Sequence, residues 1–229
     1  MIKQNKIILA LDTNDISKAL SIVKSIDANV IFKLGMEFFY TFGYEGIEKV
    51  KSIRPNIKIF LDLKLHDIPN TIKKAMEAIA NLKPYFTTIH ISGGDEMQRM
   101  SNLVKDSVKI LGVSILTSIN EEQAEKYYYL KDIKMIVSKF VKTAMENKLD
   151  GVVCSPHEIK QIKEISNDKL LIITPGIRPE SYNQKDDQKR FMTPKQAIEL
   201  GANFLVIGRP ITKSSNPLNE IKSINYSIE

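Results

Sequence analysis

Short apolar runs that are typical of β-strands alternate with amphipathic runs along the whole sequence. Apolar residues recur every three to four positions in the segments between them, which predicts helices over 17–26, 71–82 and 132–149. A strand followed by a helix and another strand usually belongs to a parallel sheet, because the helix returns the chain to the same edge. The predicted strands are 6–12, 30–35, 58–64, 86–91, 110–117, 151–155, 170–176 and 204–209.

Eight such strands predict a closed (β/α)8 TIM barrel, an α/β fold, as one catalytic domain over residues 1–229. An open, doubly wound sheet is the alternative, although no Gly-x-Gly-x-x-Gly motif or P-loop follows any strand. The segments 120–131 and 178–190 are predicted to be long loops, which are often lids or binding loops. Ser155 and Thr193 each precede a proline and are predicted to begin helices.

Composition and charge exclude several classes of protein. No run approaches the ~20 apolar residues of a membrane helix, and Asp12 follows the short apolar run 7–11 too closely for a secretory signal. The single cysteine, Cys154, fits a reducing, cytoplasmic compartment and is predicted to be buried. The net charge of +6 is spread over lysines interleaved with acids. We therefore predict no nucleic-acid or membrane partner, although a basic protein could favour a small anionic substrate.

The segment FLDLKLHDIPNT at residues 60–71 places charges inside an apolar strand. Side chains two residues apart on a strand share a face, so Asp62 and Lys64 lie together while the leucines between them take the other face. Charges in a poorly solvated place are costly unless they are paired. The pattern therefore indicates either a catalytic pair or a structural ion pair.

Polar residues stand at the carboxyl ends of most predicted strands, which is where barrel enzymes bind substrates. Each has a structural alternative. Asp12 and Asp67 could cap helices. The stem of Lys33 could lie along apolar surface, and Arg209 could pair with a surface glutamate. One edge of the barrel nevertheless collects several lysines and carboxylates, which favours a functional site. The residues at these ends are Asp12, Lys33, Asp62, Lys64, Thr117, Arg178 and Arg209.

The last two predicted strands are followed by a phosphate-binding pattern. Glycine and arginine stand together in Gly176-Ile-Arg178 and in Gly208-Arg209. Barrels commonly bind phosphate after strands seven and eight through loop amides and a helix N-terminus. An arginine adds charge-assisted hydrogen bonds to such a site. The pattern predicts a small phosphorylated substrate whose phosphate lies across the barrel mouth from the charged residues of strands two and three.

With these motifs the chain resembles the bacterial type of the orotidine 5′-phosphate decarboxylase family over nearly its whole length. The motifs are LALD at 9–12, FKLG at 32–35, DLKLHDIPNT at 62–71, LTS at 116–118, TPGIRP at 174–179, DQKR at 187–190 and VIGRPIT at 206–212. The resemblance implies a carbon–carbon lyase that converts orotidylate to UMP and carbon dioxide, the last step of pyrimidine nucleotide synthesis. It also implies that the enzyme needs no metal or organic cofactor, and that it is a homodimer with shared active sites.

The same resemblance implies roles for individual residues. Lys33, Asp62, Lys64 and Asp67 match the family's charged tetrad, in which Lys64 is the proton donor. Asp67, Ile68 and Thr71 match residues that reach into the partner's site. Asp12 and Lys33 match ribose-binding positions, and Thr117 matches the pyrimidine contact. Arg178, Gln188, Gly208 and Arg209 match the residues that hold the phosphate and form its lid.

Two other functions remain open from the sequence. A Mg²⁺-dependent phosphosugar decarboxylase or aldolase of the same superfamily would share the Asp-x-Lys-x-x-Asp pattern, but resemblance places a carboxylate where this chain has Lys33. An ammonium group there would repel a divalent cation. A non-catalytic barrel that binds a nucleotide or phosphosugar would have no need of Lys64. The three histidines are too dispersed to predict a metal site.

Overall fold

The computed structural model describes residues 5–26, 29–54, 56–180, 182 and 191–229. Eight parallel strands in these residues close into a barrel in sequence order, and the last strand pairs with the first. The strands are β1 (Ile7–Ala10), β2 (Ile31–Leu34), β3 (Lys58–Leu65), β4 (Phe86–His90), β5 (Lys109–Val113), β6 (Gly151–Val153), β7 (Leu171–Thr174) and β8 (Phe204–Ile207). The predicted TIM barrel is therefore confirmed, and the open doubly wound sheet is wrong.

Helices connect successive strands and cover the outside of the barrel. They are α1 (Ile16–Ser25), α2 (Met36–Ile53), α3 (Pro69–Asn81), α4 (Asp95–Ser101), α5 (Glu121–Tyr128), α6 (Ile133–Glu146), α7 (Ile159–Ser166), α8 (Pro194–Leu200), α9 (Arg209–Thr212) and α10 (Pro217–Ser227). The three helices predicted from periodicity are α1, α3 and α6, with ends displaced by one to three residues. Ser155 and Thr193 both form capping boxes, as their sequence context predicts. None of the described helices is long and apolar enough to cross a bilayer.

Alternate side chains of the strands build two separate apolar cores. Ile7 of β1 belongs to the layer between strands and helices, whereas Ile8 points into the barrel. Inside the barrel, the ring of Phe86 lies edge-on to Phe60 and Phe204, with centroid distances of 5.8 and 5.5 Å. A residue two positions further along a strand faces the same way. The residues that follow this aromatic layer therefore form the floor of the barrel mouth.

Two sequence predictions are wrong: the end of the fifth strand and the loop predicted after it. The strand ends at Val113 rather than at residue 117, because its neighbour β6 has three residues and ends at Val153, opposite Val113. The predicted loop 120–131 contains helix α5, which Asn120 caps by accepting a hydrogen bond from the Gln123 amide. This helix buries Ala124 alone among its residues, so the sequence carries almost no apolar periodicity there.

Candidate active site

Four charged side chains form a continuous chain of ion pairs at the carboxyl end of the barrel. Lys33 Nζ lies 3.2 Å from Asp12 Oδ1 and 3.5 Å from Asp62 Oδ2. Lys64 Nζ donates a hydrogen bond of 2.8 Å to the same Asp62 Oδ2. One carboxylate oxygen of Asp62 is thus shared by two ammonium groups, while Asp12 extends the chain to the exposed rim.

The strand pattern places these side chains above the aromatic layer. Lys33 follows the inward-facing Ile31, and Asp62 follows the inward-facing Phe60. Lys33 pairs with Phe60, so Asp62 stands one inward-facing position further along β3, and the long side chain of Lys33 reaches up to it. Asp12 lies just beyond β1 and does not cap a helix. The cap of α1 is Asp15, which accepts a hydrogen bond from the Lys18 amide.

Glycine at position 35 leaves room for this cluster. A Cβ atom on Gly35 would lie 2.9 Å from Asp12 Oδ1 and 3.2 Å from Lys33 Nζ. The first distance is closer than real Cβ contacts allow, so any larger residue would push against the ion pair. The close approach explains on steric grounds why a glycine follows β2.

Burial and charge act in opposite directions on the pKa values of the central pair. Burial alone would lower the pKa of Lys33, but the charges of Asp62 and Asp12 outweigh it and the pKa is raised. Burial alone would raise the pKa of Asp62, but Lys33, Lys64 and hydrogen bonds outweigh it and the pKa is lowered. Both groups are therefore ionised at neutral pH. The mouth therefore holds two buried charges of opposite sign, on Lys33 and Asp62.

The backbone at Lys64 has an unusual conformation. Its φ is +50°, in the left-handed region that residues other than glycine and asparagine rarely occupy. The pairing of β3 with β4 shifts at this point, between Leu61 and Leu65. Strained backbone of this kind costs on the order of 1–3 kcal/mol and persists where the surrounding structure enforces it. The strain therefore falls on Lys64, for which the family resemblance implies the role of proton donor.

Arg178, Gly208 and Arg209 follow β7 and β8, on the other side of β1 from β2 and β3. They line the same cavity as Asp12, Lys33, Asp62 and Lys64, together with Ala10, Phe60, Val153, Pro175, Gly176 and Val206. Arg178 Nη1 donates a 2.9 Å hydrogen bond to the Ile177 carbonyl, and Arg209 begins the short helix α9. Gln188 lies outside the described residues, as does most of the predicted loop 178–190.

Four of the predicted site residues do not join this cavity. Asp67, Ile68, Thr71 and Thr117 are exposed, and none of them lines it. Asp67 lines a separate open pocket with His66, Ile68, Pro69, Ser92 and Gly93. Asp67 does not cap α3 either, since Ile68 holds the cap position and Asp67 Oδ1 accepts a 2.7 Å bond from the Ile68 amide. Within the described residues, Asp67 makes no ion pair.

Sequence reasoning missed two polar residues of β4. The Thr88 hydroxyl contacts both Asp62 and the backbone of Lys64. The ring of His90 lies 5.4 Å from that of His66, near Lys64. Both follow the inward-facing Phe86 at steps of two, so the alternation of side chains along 86–90 would have placed them on the inner face of the barrel.

Comparison with known proteins identifies the family. A sequence model described as Orotidine 5'-phosphate decarboxylase / HUMPS family matches residues 5–224. The chain belongs to this family. Its relatives include the orotidine 5'-phosphate decarboxylase of Carboxydothermus hydrogenoformans, which is 43% identical over 220 residues, covering 92% of this chain and 90% of that protein.

Solved structures of the decarboxylase family share the fold over nearly the full chain. The crystal structure of the enzyme from Lactobacillus acidophilus gives a TM-score of 0.86 at 34% identity and covers 99% of this chain and 100% of that one. The enzyme from Methanocaldococcus jannaschii, complexed with the inhibitor BMP, gives 0.78 at 25% identity, with coverage of 99% and 100%. The resemblance found in the sequence motifs is therefore confirmed at the level of family and fold.

Proposed function

We propose that the protein catalyses the decarboxylation of orotidine 5′-phosphate to UMP and carbon dioxide, the last step of pyrimidine nucleotide synthesis. The observation that carries the proposal is the Lys33–Asp62–Lys64 chain of ion pairs, which lines one cavity together with Arg178 and Arg209. The decarboxylases among its relatives, similar over nearly their whole length, support the same activity. The catalytic unit is the barrel, acting as one domain over residues 1–229.

The charge chain fits the chemistry of this reaction. Loss of carbon dioxide leaves an electron pair on the pyrimidine carbon that carried the carboxylate. The ammonium group of Lys64, already fixed by Asp62, stabilises that negative charge better than water can, because it need not reorganise. Lys64 then transfers a proton from Nζ to the same carbon. Lys33 keeps Asp62 ionised, and Asp62 keeps Lys64 aimed at the reacting atom.

The remaining residues bind the parts of the nucleotide that do not react. Asp12 and Lys33 bind the ribose hydroxyls, and Thr117 contacts the pyrimidine ring. Arg178, Gln188, Gly208 and Arg209 hold the phosphate. Thr117 is exposed and does not line the cavity, so its proposed role requires the segment after β5 to approach the ring.

We propose further that the protein is a homodimer with shared sites. Asp67 and Ile68 project from the rim beside the cavity, and Ile68 leaves 66% of its surface exposed. Burial of this apolar surface in an interface would be favourable, and among the described residues Asp67 has no ion pair of its own. Asp67, Ile68 and Thr71 would then complete the partner's site, which explains why the chain alone does not bring them to Lys64.

A metal-dependent reaction fits the site less well. In the described part of the chain, no three His, Cys, Asp or Glu side chains group as a metal site would require. The two carboxylates nearest the cavity floor, Asp12 and Asp62, are both paired with Lys33. We therefore propose catalysis without metal or organic cofactor.

A cytoplasmic location is also proposed, because a single buried cysteine, Cys154, fits a reducing compartment.

The test is to follow the ultraviolet absorbance of orotidylate with purified protein that has been dialysed against EDTA. The orotate chromophore is lost as UMP forms, so turnover lowers the absorbance. Undiminished turnover in EDTA supports the cofactor-free decarboxylase. Activity that returns only with added Mg²⁺ would favour the phosphosugar class, and tight binding of UMP without turnover would favour a non-catalytic barrel.

A further inference from the structure

We propose that Thr88 is a positioning residue for the decarboxylation: one hydroxyl fixes both the carboxylate of Asp62 and the backbone of Lys64. The inference rests on the proposed function, because it concerns how the proton donor is held. Thr88 is fully buried in β4 and does not line the cavity, so it acts through its two neighbours and not on substrate.

A shift in the pairing of β3 with β4 leaves groups that a residue in the position of Thr88 must hold. Leu61 of β3 pairs with Thr87 of β4, and the next pair is Leu65 with Ile89. Three residues of β3, from 62 to 64, thus face the single residue Thr88. This bulge contains both charged side chains and the left-handed backbone of Lys64. Extra residues in one strand interrupt the regular ladder of hydrogen bonds and re-aim the side chains they carry.

The hydroxyl of Thr88 bridges the bulge from the neighbouring strand. Its Oγ1 accepts a 2.9 Å hydrogen bond from the Lys64 amide. It donates its own proton to Asp62 Oδ1, also at 2.9 Å. A hydroxyl can accept and donate at once, so a single side chain satisfies a backbone donor and a charged acceptor in a buried place.

The bond to Oδ1 also decides how the carboxylate is turned. Asp62 Oδ2 is the oxygen shared by Lys33 and Lys64, at 3.5 and 2.8 Å. With Oδ1 held by Thr88, the plane of the carboxylate is fixed and Oδ2 stays directed at the two ammonium groups. Thr88 therefore couples the position of the proton donor's backbone to that of its carboxylate partner. Loss of the hydroxyl would leave both groups less well held without removing any charge.

The test uses three variants of the two buried threonines, Thr87 and Thr88. Thr88→Val keeps the shape of the side chain but removes the hydroxyl. Thr88→Ser keeps the hydroxyl. Thr87→Val is the matched control, because Thr87 is the adjacent fully buried threonine and donates instead to the Leu61 carbonyl, outside the charge chain. The measurements are kcat and KM for orotidylate, the Kd of UMP, and the melting temperature.

We expect kcat of Thr88→Val to fall by about 10- to 100-fold, the scale of losing a hydrogen bond to a charged group. The Kd of UMP should change by less than about threefold, because the contacts that bind UMP do not depend on where Lys64 Nζ points. Thr88→Ser should recover most of kcat, while Thr87→Val should lose stability but little kcat. If Thr88→Val is not recovered folded, Thr88→Cys gives the same comparison, since a thiol is a weak donor and acceptor.

Two results would overturn the inference alone. Equal kcat for Thr87→Val and Thr88→Val would show that the hydroxyl of Thr88 serves the fold alone. A rise in UMP Kd as large as the fall in kcat would place its effect on binding instead of on the reacting groups. Absence of turnover by the unsubstituted protein would overturn the proposed function and this inference with it, whereas either of the first two results leaves the proposed function standing.

Discussion

The two sides of the barrel mouth are built in different ways. The first side carries charges on strands β2 and β3 themselves, and Lys33 and Asp62 are only 8% and 6% exposed. The second side carries Arg178 and Arg209 beyond the ends of β7 and β8, where both are half-buried. The first side is fixed by strand register and mutual ion pairs. The second depends on the connections that follow the strands.

This difference matches the two tasks of the proposed site. Groups that stabilise charge in a transition state must be held in place before the reaction, because their reorganisation would cost the energy they supply. Groups that hold a remote phosphate contribute binding energy, which can be used to close loops over the substrate. We therefore expect substitutions on the first side to lower kcat, and substitutions on the second to lower kcat/KM through binding.

The largest effect is expected for Lys64→Ala. The change removes the stabilising charge and the proton donor together, and proton transfer alone is typically worth ~10²–10⁴ in rate. We expect kcat to fall by at least about 10⁴ while the Kd of UMP changes far less. The exposed Lys18→Ala is the control. A Lys64→Ala enzyme that keeps more than roughly a tenth of its turnover would remove Lys64 from the reaction.

Asp67 tests whether the fixed side of the site is completed by a second subunit. Lys64→Ala and Asp67→Ala homodimers should both be nearly inactive. After subunit exchange, about a quarter of the sites should be intact, because about half of the dimers are mixed and each has one complete site. Recovery towards that fraction of wild-type activity is measured on the mixture. No recovery after exchange has been demonstrated would assign Asp67 to its own subunit.

Arg209→Ala tests the phosphate side. We expect a cost of about 1.5–3 kcal/mol in kcat/KM for orotidylate, the scale of a charged hydrogen bond. Added guanidinium ion should restore part of the activity, since the chemistry at Lys64 is intact. The nucleoside orotidine, which lacks the phosphate, is the control substrate, and its slow turnover should barely change. Equal losses on both substrates would show that Arg209 supports the fold or the ring site.

The smallest effect is expected from His90 at the edge of the fixed side. Burial, the charge of His66 and that of Lys64 lower the pKa of His90, and Asp62 opposes them only in part. The unfolded chain therefore binds the proton more readily, so the fold loses stability as the pH falls below the ordinary histidine pKa of about 6.5. His90→Gln should narrow the difference in melting temperature between pH 8 and pH 5.5. The exposed His157→Gln should not, and an equal narrowing in both variants would contradict the assignment to His90.

The sequence by itself determined the barrel and the candidates for its charged floor. Strand–helix alternation requires only local periodicity, and the step of two along β3 places Asp62 beside Lys64 without knowledge of any neighbour. Local sequence also determined the capping boxes at Ser155 and Thr193. The limit of local reasoning appears at α5, a helix with too little buried surface to leave a periodic pattern.

Only the tertiary structure decided how the floor is held. The contact of Lys33 with Asp12 and Asp62 joins three strands, and the bridge from Thr88 depends on a register shift between β3 and β4 that no single segment encodes. Such contacts arise between residues far apart in the chain, and their geometry follows from how the sheet closes. For the same reason, the sequence could mark Lys64 as a charged residue of the site but could not show that its backbone is strained.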